Sequence, residues 1–404
     1  MRWKIFFFSI TCLFFVHSYS QEQTENSFNF KWDKGFKLES NDKQFSLDFG
    51  GQIFLDHGYF FQDNDLDLHF GPLENKSRTE FRSARLFLSG QVYGNTEFKF
   101  QLEFAGEEVS FKDFYIGIKD IPAIGNLRIG HFNEPFRFSS LSSGKYTTLM
   151  ERAPNNSFAS KRNTGAVIFN DFFNKKLSAQ LGAFHNASNI SNNVLTSDGY
   201  AITGRVTTLP YVNTDKAQLL HLGISSSYRK PDSNIYNVSI SPSSSLAEKY
   251  LQTGEISDLE EAILLNFELV YLHGPFSFQA EYLNAGINTK QQNINSSSVY
   301  GQVSWFLTGE QKNYLGSYDG LGRVSPKRNF GGKEKGAGAW EVAARYSRTD
   351  LSDYIEVGGV QSEIVFGVNW YLNPVTRFML NYAHTNVEDL GSLNYLQGRL
   401  QIDF

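Results

Sequence analysis

Three observations predict an all-β chain: a 16-stranded antiparallel transmembrane β-barrel with long extracellular loops and an infolded constriction loop. Polar and apolar residues alternate with period two from about residue 45 to the end of the 404-residue chain. The alternating segments number sixteen, an even count. Tight turns and long polar stretches follow one another between them, the layout of an outer-membrane barrel. After the first twenty residues no apolar run approaches the ~20 residues a spanning helix needs. With 41% hydrophobic and 20% charged residues the chain is not built like a disordered tail.

Residues 1–20 read as a secretory signal. Arg2 and Lys4 form a basic start, Ile5 to Val16 a short apolar core, and Ser18-Tyr19-Ser20 a small-residue cleavage region, so Gln21 is the expected mature N-terminus. The only cysteine, Cys12, lies inside this segment. The mature chain therefore has no disulfide, thiol nucleophile or zinc-thiolate site. Removing Arg2 and Lys4 leaves 35 basic and 42 acidic residues, a net charge of −7, with no basic domain for nucleic acid. Residues 21–44 are polar, with Phe28, Phe30 and Trp32 among charges. They are expected to form a periplasmic segment or hairpin leading into a barrel over 45–404.

The strands are expected near 47–61, 80–93, 95–105, 110–119, 125–132, 164–170, 176–184, 200–208, 218–229, 262–272, 275–284, 298–307, 338–348, 362–371, 376–385 and 395–404. The sorting is clearest at 96–104, where Glu97, Lys99, Gln101 and Glu103 alternate with Phe98, Phe100, Leu102 and Phe104. It recurs where Glu341, Arg345 and Ser347 oppose Trp340, Val342, Ala344 and Tyr346. Tight turns include Tyr93-Gly94-Asn95, His273-Gly274 and Leu372-Asn373-Pro374. Long loops are expected at 62–78, 133–163, 185–199, 230–261, 308–337 and 349–361, with a short helix in 245–262.

Sixteen strands make too wide a cylinder for side chains to fill, so its interior holds water. The charged faces then belong inside and the aromatic faces against lipid. Tyr59, Tyr93, Tyr271, Trp305, Trp370 and Tyr371 lie near strand ends, where interfacial girdles form. The chain ends on Phe404 after an alternating Gly398, Leu400 and Ile402. This last strand must pair with the first to remove open edges.

A water-filled pore selects by the charges at its narrowest part. Segment 133–163 is long enough to fold into the lumen. It carries Arg137, Lys145, Arg152, Lys161 and Arg162 against Glu134 and Glu151. Segment 323–335 carries Arg323, Lys327, Arg328, Lys333 and Lys335 against Glu334. The second strand adds Arg78, Arg82 and Arg85 with Glu80, and Arg345 lies on a charged strand face. Guanidinium and ammonium groups in these places would form a cationic path that replaces part of an anion's hydration.

Several runs carry a further signal: Gly50-Gly51 with Asp56, Glu80-Phe81-Arg82 through Arg85-Leu86, and Arg128-Ile129-Gly130-His131-Phe132. Met150-Glu151-Arg152-Ala153, Gly338-Ala339-Trp340-Glu341 through Arg345-Tyr346-Ser347, and Gly367 through Pro374 continue it. Through these runs, over most of the mature chain, the sequence resembles the phosphate-selective porins O and P. It implies a trimeric outer-membrane porin with arginines lining the lumen and lysines holding the anion at a constriction loop. Lys145 and Lys327 are the matching lysines, and Arg82 and Arg85 match arginines of the second strand. One departure is visible: Gln52 stands where the family commonly carries Arg after the paired glycines.

The expected function is passive diffusion of small anions, phosphate or polyphosphate, with no cofactor. Outer-membrane lipid and two further copies of the chain are the expected partners. The candidate anion-binding residues are Lys145, Arg152, Lys161, Arg162, Lys327 and Arg328. Arg82, Arg85, Arg323 and Arg345 are the candidate lumen arginines. A general low-selectivity porin is one alternative. A barrel lipase or protease is another, but His57, His69, His131, His185, His221, His273 and His384 fall in no Ser/His/Asp or metal-binding spacing. No phosphate-cradling loop, dinucleotide fingerprint or zinc motif is present.

Overall fold

A computed structural model describes residues 27–404 except 34, 160, 186–198, 231–234, 332–334 and 354–357. The expected signal at 1–20, most of loop 185–199, and Lys333 and Glu334 lie outside the described residues.

A hairpin of β1 (Phe28–Trp32) and β2 (Phe36–Ser40) leads into the barrel. The wall begins with β3 (Ser46–Gln62), β4 (Ser77–Val92), β5 (Thr96–Glu103), β6 (Ser110–Ile121), β7 (Gly125–Asn133) and β8 (Arg162–Phe172). It continues with β9 (Leu177–His185), β10 (Tyr200–Asn213), β11 (Gln218–Lys230), β12 (Leu259–His273) and β13 (Phe276–Thr289). It ends with β14 (Asn293–Phe306), β15 (Ala339–Asp350), β16 (Val360–Asn373), β17 (Thr376–Val387) and β18 (Gly391–Asp403). Each of β3–β18 pairs antiparallel with its sequence neighbours. Pairing of β18 with β3, from Leu393 opposite Gln62 to Asp403 opposite Gln52, closes the cylinder. Phe404 completes the seam: its N–H donates to Gly51 O at 3.0 Å and its carbonyl accepts from Gly51 N–H at 2.7 Å. A Cβ on Gly51 would lie 2.9 Å from the Phe404 ring and 2.7 Å from Arg85 O, so only glycine admits this approach.

Which face is wet follows from the side chains. Glu341, Arg345 and Ser347 are buried while Tyr346 is exposed; Arg399, Gln401 and Asp403 are buried while Leu400 and Ile402 are exposed. Glu97 pairs inside with Arg128 and Lys119, and Phe114 and Ile116 of the neighbouring strand face outward. Ionic groups therefore line the interior and rings meet lipid. Tyr59, Tyr93 and Trp305 are exposed as girdle residues. Tyr371 is not: its ring is buried inside and its hydroxyl donates to Glu341 at 2.8 Å.

Three segments fill much of the lumen. Segment 134–161 folds in from the long-loop end. Segment 235–258 lies against the wall opposite β11, where Arg78 of β4 reaches Leu246 O and Glu248 at 2.8 Å each. It packs an apolar cluster of Leu246 and Tyr250 with Phe60, Leu149, Val365 and Tyr395. The interior is thus not uniformly wet. Residues 245–258 form no helix, contrary to expectation, because their apolar side chains are used against this wall.

The third segment, 307–338, corrects the expected layout. It joins β14 to β15, at the end that carries the tight turns and both termini of the barrel, so it enters from the short-turn side. Lys312 pairs with Glu341 at 2.5 Å, Tyr314 meets His221 at 2.9 Å, and the Tyr318 hydroxyl donates to Asp171 at 2.7 Å. At its tip Leu321 N–H donates to Ser142 Oγ at 3.0 Å, so segments entering from opposite ends meet inside the barrel.

Candidate functional site

With the lumen filled beside β12–β18, open space lies against β3–β8. It consists of two adjoining cavities that share Arg85, Gly144, Lys161 and Arg162. The upper one, about 330 Å³, is lined by Arg82, Arg85, Lys112, Arg152, Lys161, Arg162 and Arg399. Glu151 is its only carboxylate, and Gln52, Ser83, His131 and Thr147 add polar groups. The lower one, about 480 Å³, opens toward the short-turn end and is more mixed. There Lys99, Lys119, Arg128 and Lys145 join the shared bases, against Asp48, Glu97, Asp113 and Asp319.

Two β-bulges build the upper cavity. Between β3 and β4, Phe54 lies opposite Ser83 but Leu55 lies opposite Phe81, leaving Arg82 as an extra residue. Between β5 and β6, Phe100 lies opposite Phe114 but Leu102 lies opposite Phe111, leaving Lys112 and Asp113 together. A bulge lets consecutive residues turn to the same side. Arg82 and Ser83 both line the cavity while Phe81 stays exposed on the outside. Lys112 and Asp113 both line the lumen while Phe114 is exposed outside, its ring centroid 5.8 Å from that of half-buried Phe111.

Most of the bases are already paired. Arg82 holds Glu151 through Nε at 2.8 Å and Nη2 at 3.1 Å; Arg399 adds a 2.9 Å contact to the same carboxylate and grips Asp56 at 2.7 Å. Arg162 and Lys99 share Asp113, each at 2.7 Å, and Arg85 is paired with Glu103. Arg152 donates to the carbonyls of Ser139 and Ser142 at 2.7 Å each, which folds its own segment. Lys112 and Lys161 form no ion pair among the described residues. These two, with the outer face of Arg152, supply the cavity's uncompensated charge.

A ladder of wall arginines holds the segment's backbone. Arg399 donates to Met150 O at 2.8 Å, Arg345 to Glu151 O at 2.9 Å, and Arg377 to Thr147 O at 2.8 Å and Lys145 O at 3.3 Å. Charge-assisted bonds to main-chain carbonyls fix position. The field of the segment reflects this crowding. Burial opposes ionisation of Glu151, but Arg82 and Arg399 outweigh it and hold the carboxyl down at about 2. Burial, then the cations Arg152, Arg162 and Arg85, lowers Lys161 well below the ordinary lysine value. Burial lowers Lys145 too, partly offset by Asp403, whose carboxylate lies 3.6 Å away.

Of the ten expected site residues, Arg82, Arg85, Arg152, Lys161 and Arg162 meet around the upper cavity and Lys145 lines the lower one. Arg345 faces the lumen, but its guanidinium is spent on Glu151 O and Ser243 Oγ. Arg323 turns in at the short-turn end, onto Asp403 and Pro374 O. Lys327 and Arg328 are not at a constriction. Both are exposed at the short-turn rim, since 307–338 starts from that end and its inserted part is 312–321. Lys112, Arg377 and Arg399 were not singled out as site residues from the sequence. Arg399 carried a signal, being on a charged strand face; Lys112 carried none, because its bulge breaks the alternation.

Comparison with known proteins agrees with this geometry. Residues 55–404 match the family described as "Phosphate-selective porin O and P". Porin O of Pseudomonas aeruginosa is 23% identical over 398 residues, covering 89% of this chain and 87% of that one. Among solved structures, an anion-selective porin from Comamonas acidovorans superposes with a TM-score of 0.53 at 15% identity, covering 89% of this chain and all of its own. Pseudomonas putida OprB does so at 0.57 and 8% identity, over 90% of this chain and 95% of its own. These last two likenesses speak for the fold. The chain belongs to the phosphate-selective porin O and P family and is a β-barrel channel of the outer membrane.

Proposed function

We propose that the upper cavity is the selectivity site of a passive anion channel, with inorganic phosphate as its preferred solute. One observation carries this: seven basic side chains surround about 330 Å³ with a single carboxylate, itself held by Arg82 and Arg399. An anion entering there exchanges water for ammonium and guanidinium donors without having to break the wall's ion pairs, because Lys112 and Lys161 are uncommitted. Recognition falls to these cations, since the Ser83 and Thr147 hydroxyls already donate to Glu103 at 3.0 Å and to Gly144 O at 3.1 Å. Phosphate, named for the family, is consistent with these donors. The channel is proposed to work as a homotrimer, to need no cofactor, to catalyse no reaction, and to follow export by a cleaved signal.

The test is block of chloride current by phosphate in planar bilayers. Phosphate at millimolar concentration should reduce single-channel chloride current, and Lys161→Gln should weaken that block several-fold. A chloride current indifferent to phosphate would reject the substrate. The four carboxylates of the lower cavity favour a second reading, a general porin of low selectivity. Near-equal chloride and potassium permeability would select it.

A further inference from the structure

Lys327 and Arg328 belong to a basic cluster that the pore does not use. The chain near them laps over the outside of the barrel. Phe330 N–H donates to Leu372 O at 2.6 Å, and its ring meets that of Trp370 at 4.8 Å, edge-on. Trp370 is an outward residue of β16: its neighbours Asn369 and Tyr371 are buried in the lumen. Trp370 stacks on Trp340 at 5.2 Å and on Phe378 at 6.1 Å, and its indole N–H donates to Ala337 O at 2.9 Å. The Lys327 ammonium lies 3.5 Å from Thr308 O, beside exposed Leu307. The nearby Glu310 carboxylate is occupied by Lys327 N–H at 2.9 Å and by the Thr308 hydroxyl. Neither Lys327 nor Arg328 has an ion-pair partner among the described residues, and both side chains are exposed.

We propose that Lys327 and Arg328, set beside the Trp340–Trp370–Phe378 stack, form a binding site for the headgroup of an anionic phospholipid in the periplasmic leaflet. The short-turn end of an outer-membrane barrel faces the periplasm, where that leaflet's headgroups lie. Stacked indoles sit at the headgroup level, which brings the two cations to the depth of the lipid phosphate. The rings are continuous with the lipid-facing wall, so the acyl chains of the same lipid cover Trp305 and Phe378, both exposed. Two unpaired cations on a mature chain of net charge −7 complement a phosphodiester, and each basic residue near the surface strengthens binding of an anionic lipid about fivefold.

The test is tryptophan quenching by brominated lipids in phosphatidylcholine vesicles. Brominated phosphatidylglycerol should quench wild type at several-fold lower mole fraction than brominated phosphatidylcholine. In K327Q/R328Q that preference should vanish, R328Q alone should lie between, and K327R/R328K should retain it. K175Q/K176Q removes two cations from another tight turn and should also retain it. Heat-modifiable migration on a gel establishes that each variant is folded. Equal quenching by both lipids in wild type would overturn the site. So would an equal loss in K175Q/K176Q, which would mark a general surface potential.

Discussion

Lys161 and Arg162 are adjacent in the chain and line the same two cavities, yet only Arg162 has a carboxylate partner, Asp113 at 2.7 Å. The difference assigns them separate work. Arg162 neutralises a buried acid of β6, and Lys161 adds net charge to the path.

Substitution should separate the two roles. A unit charge ~6 Å from an ion's path in a medium of intermediate dielectric contributes roughly 1 kcal/mol. Lys161→Gln should therefore lower the chloride-to-potassium permeability ratio about fivefold and leave unfolding in detergent unchanged. Arg162→Gln should cost selectivity and roughly 2–3 kcal/mol of stability, because Asp113 loses a partner. Reversal potentials and urea unfolding measure both. Equal unfolding penalties would contradict the assignment.

Alkali should weaken the anion preference early. Lys161 is lowered well below the ordinary 10.5, so its ammonium discharges as pH rises at values where an exposed lysine is still charged. Chloride, whose charge does not vary with pH, should lose its permeability advantage below the pH at which an ordinary lysine discharges, and Lys161→Arg should push that loss to higher pH. Glu151, held at about 2, stays ionised through the acid range and contributes no change there. A ratio flat up to pH 10.5 would refute this.

The grip of Arg399 on Met150 O, Asp56 and Glu151 should be a stability determinant. Arg399→Ala leaves two buried carboxylates short of a partner and should lower stability by roughly 3 kcal/mol. It should also raise open-channel current noise as segment 145–151 loosens. Quiet channels of unaltered heat-modifiability would argue against the clamp.

The meeting of the two inserted segments depends on Gly320, which has φ +66° and where a Cβ would fall 2.1 Å from Ser142 Oγ. Gly320→Val should force Leu321 away from Ser142 and change single-channel conductance by tens of per cent, at a cost of roughly 1–3 kcal/mol. Conductance identical to wild type would show that this contact does not shape the path.

How legible all this was in the sequence depends on the residue. The strands announced themselves because lipid and water impose opposite chemistry on alternate positions, as at Glu97 to Glu103 and Trp340 to Ser347. Parity fails where a bulge intervenes. Arg82 and Arg85 cannot share a face in a regular strand, and Lys112 and Asp113 cannot both enter the lumen without the one extra residue between Phe111 and Phe114. The end from which 307–338 enters follows from counting strands, but the length of the segment suggested the long-loop side. Lys327 and Arg328 then lie outside the path. The dry packing of Leu246 and Tyr250 over Val365 and Tyr395 depends on a segment that crosses the lumen, a long-range contact that no local pattern encodes.

The most direct measurement is the sign of the zero-current potential for purified K112E/K161E in a potassium chloride gradient, set beside wild type. The upper cavity's excess of positive charge predicts a chloride-like sign in wild type and a shift toward potassium, through zero, in the double variant. A double variant that keeps the wild-type potential would mean that ions are sorted elsewhere in the barrel.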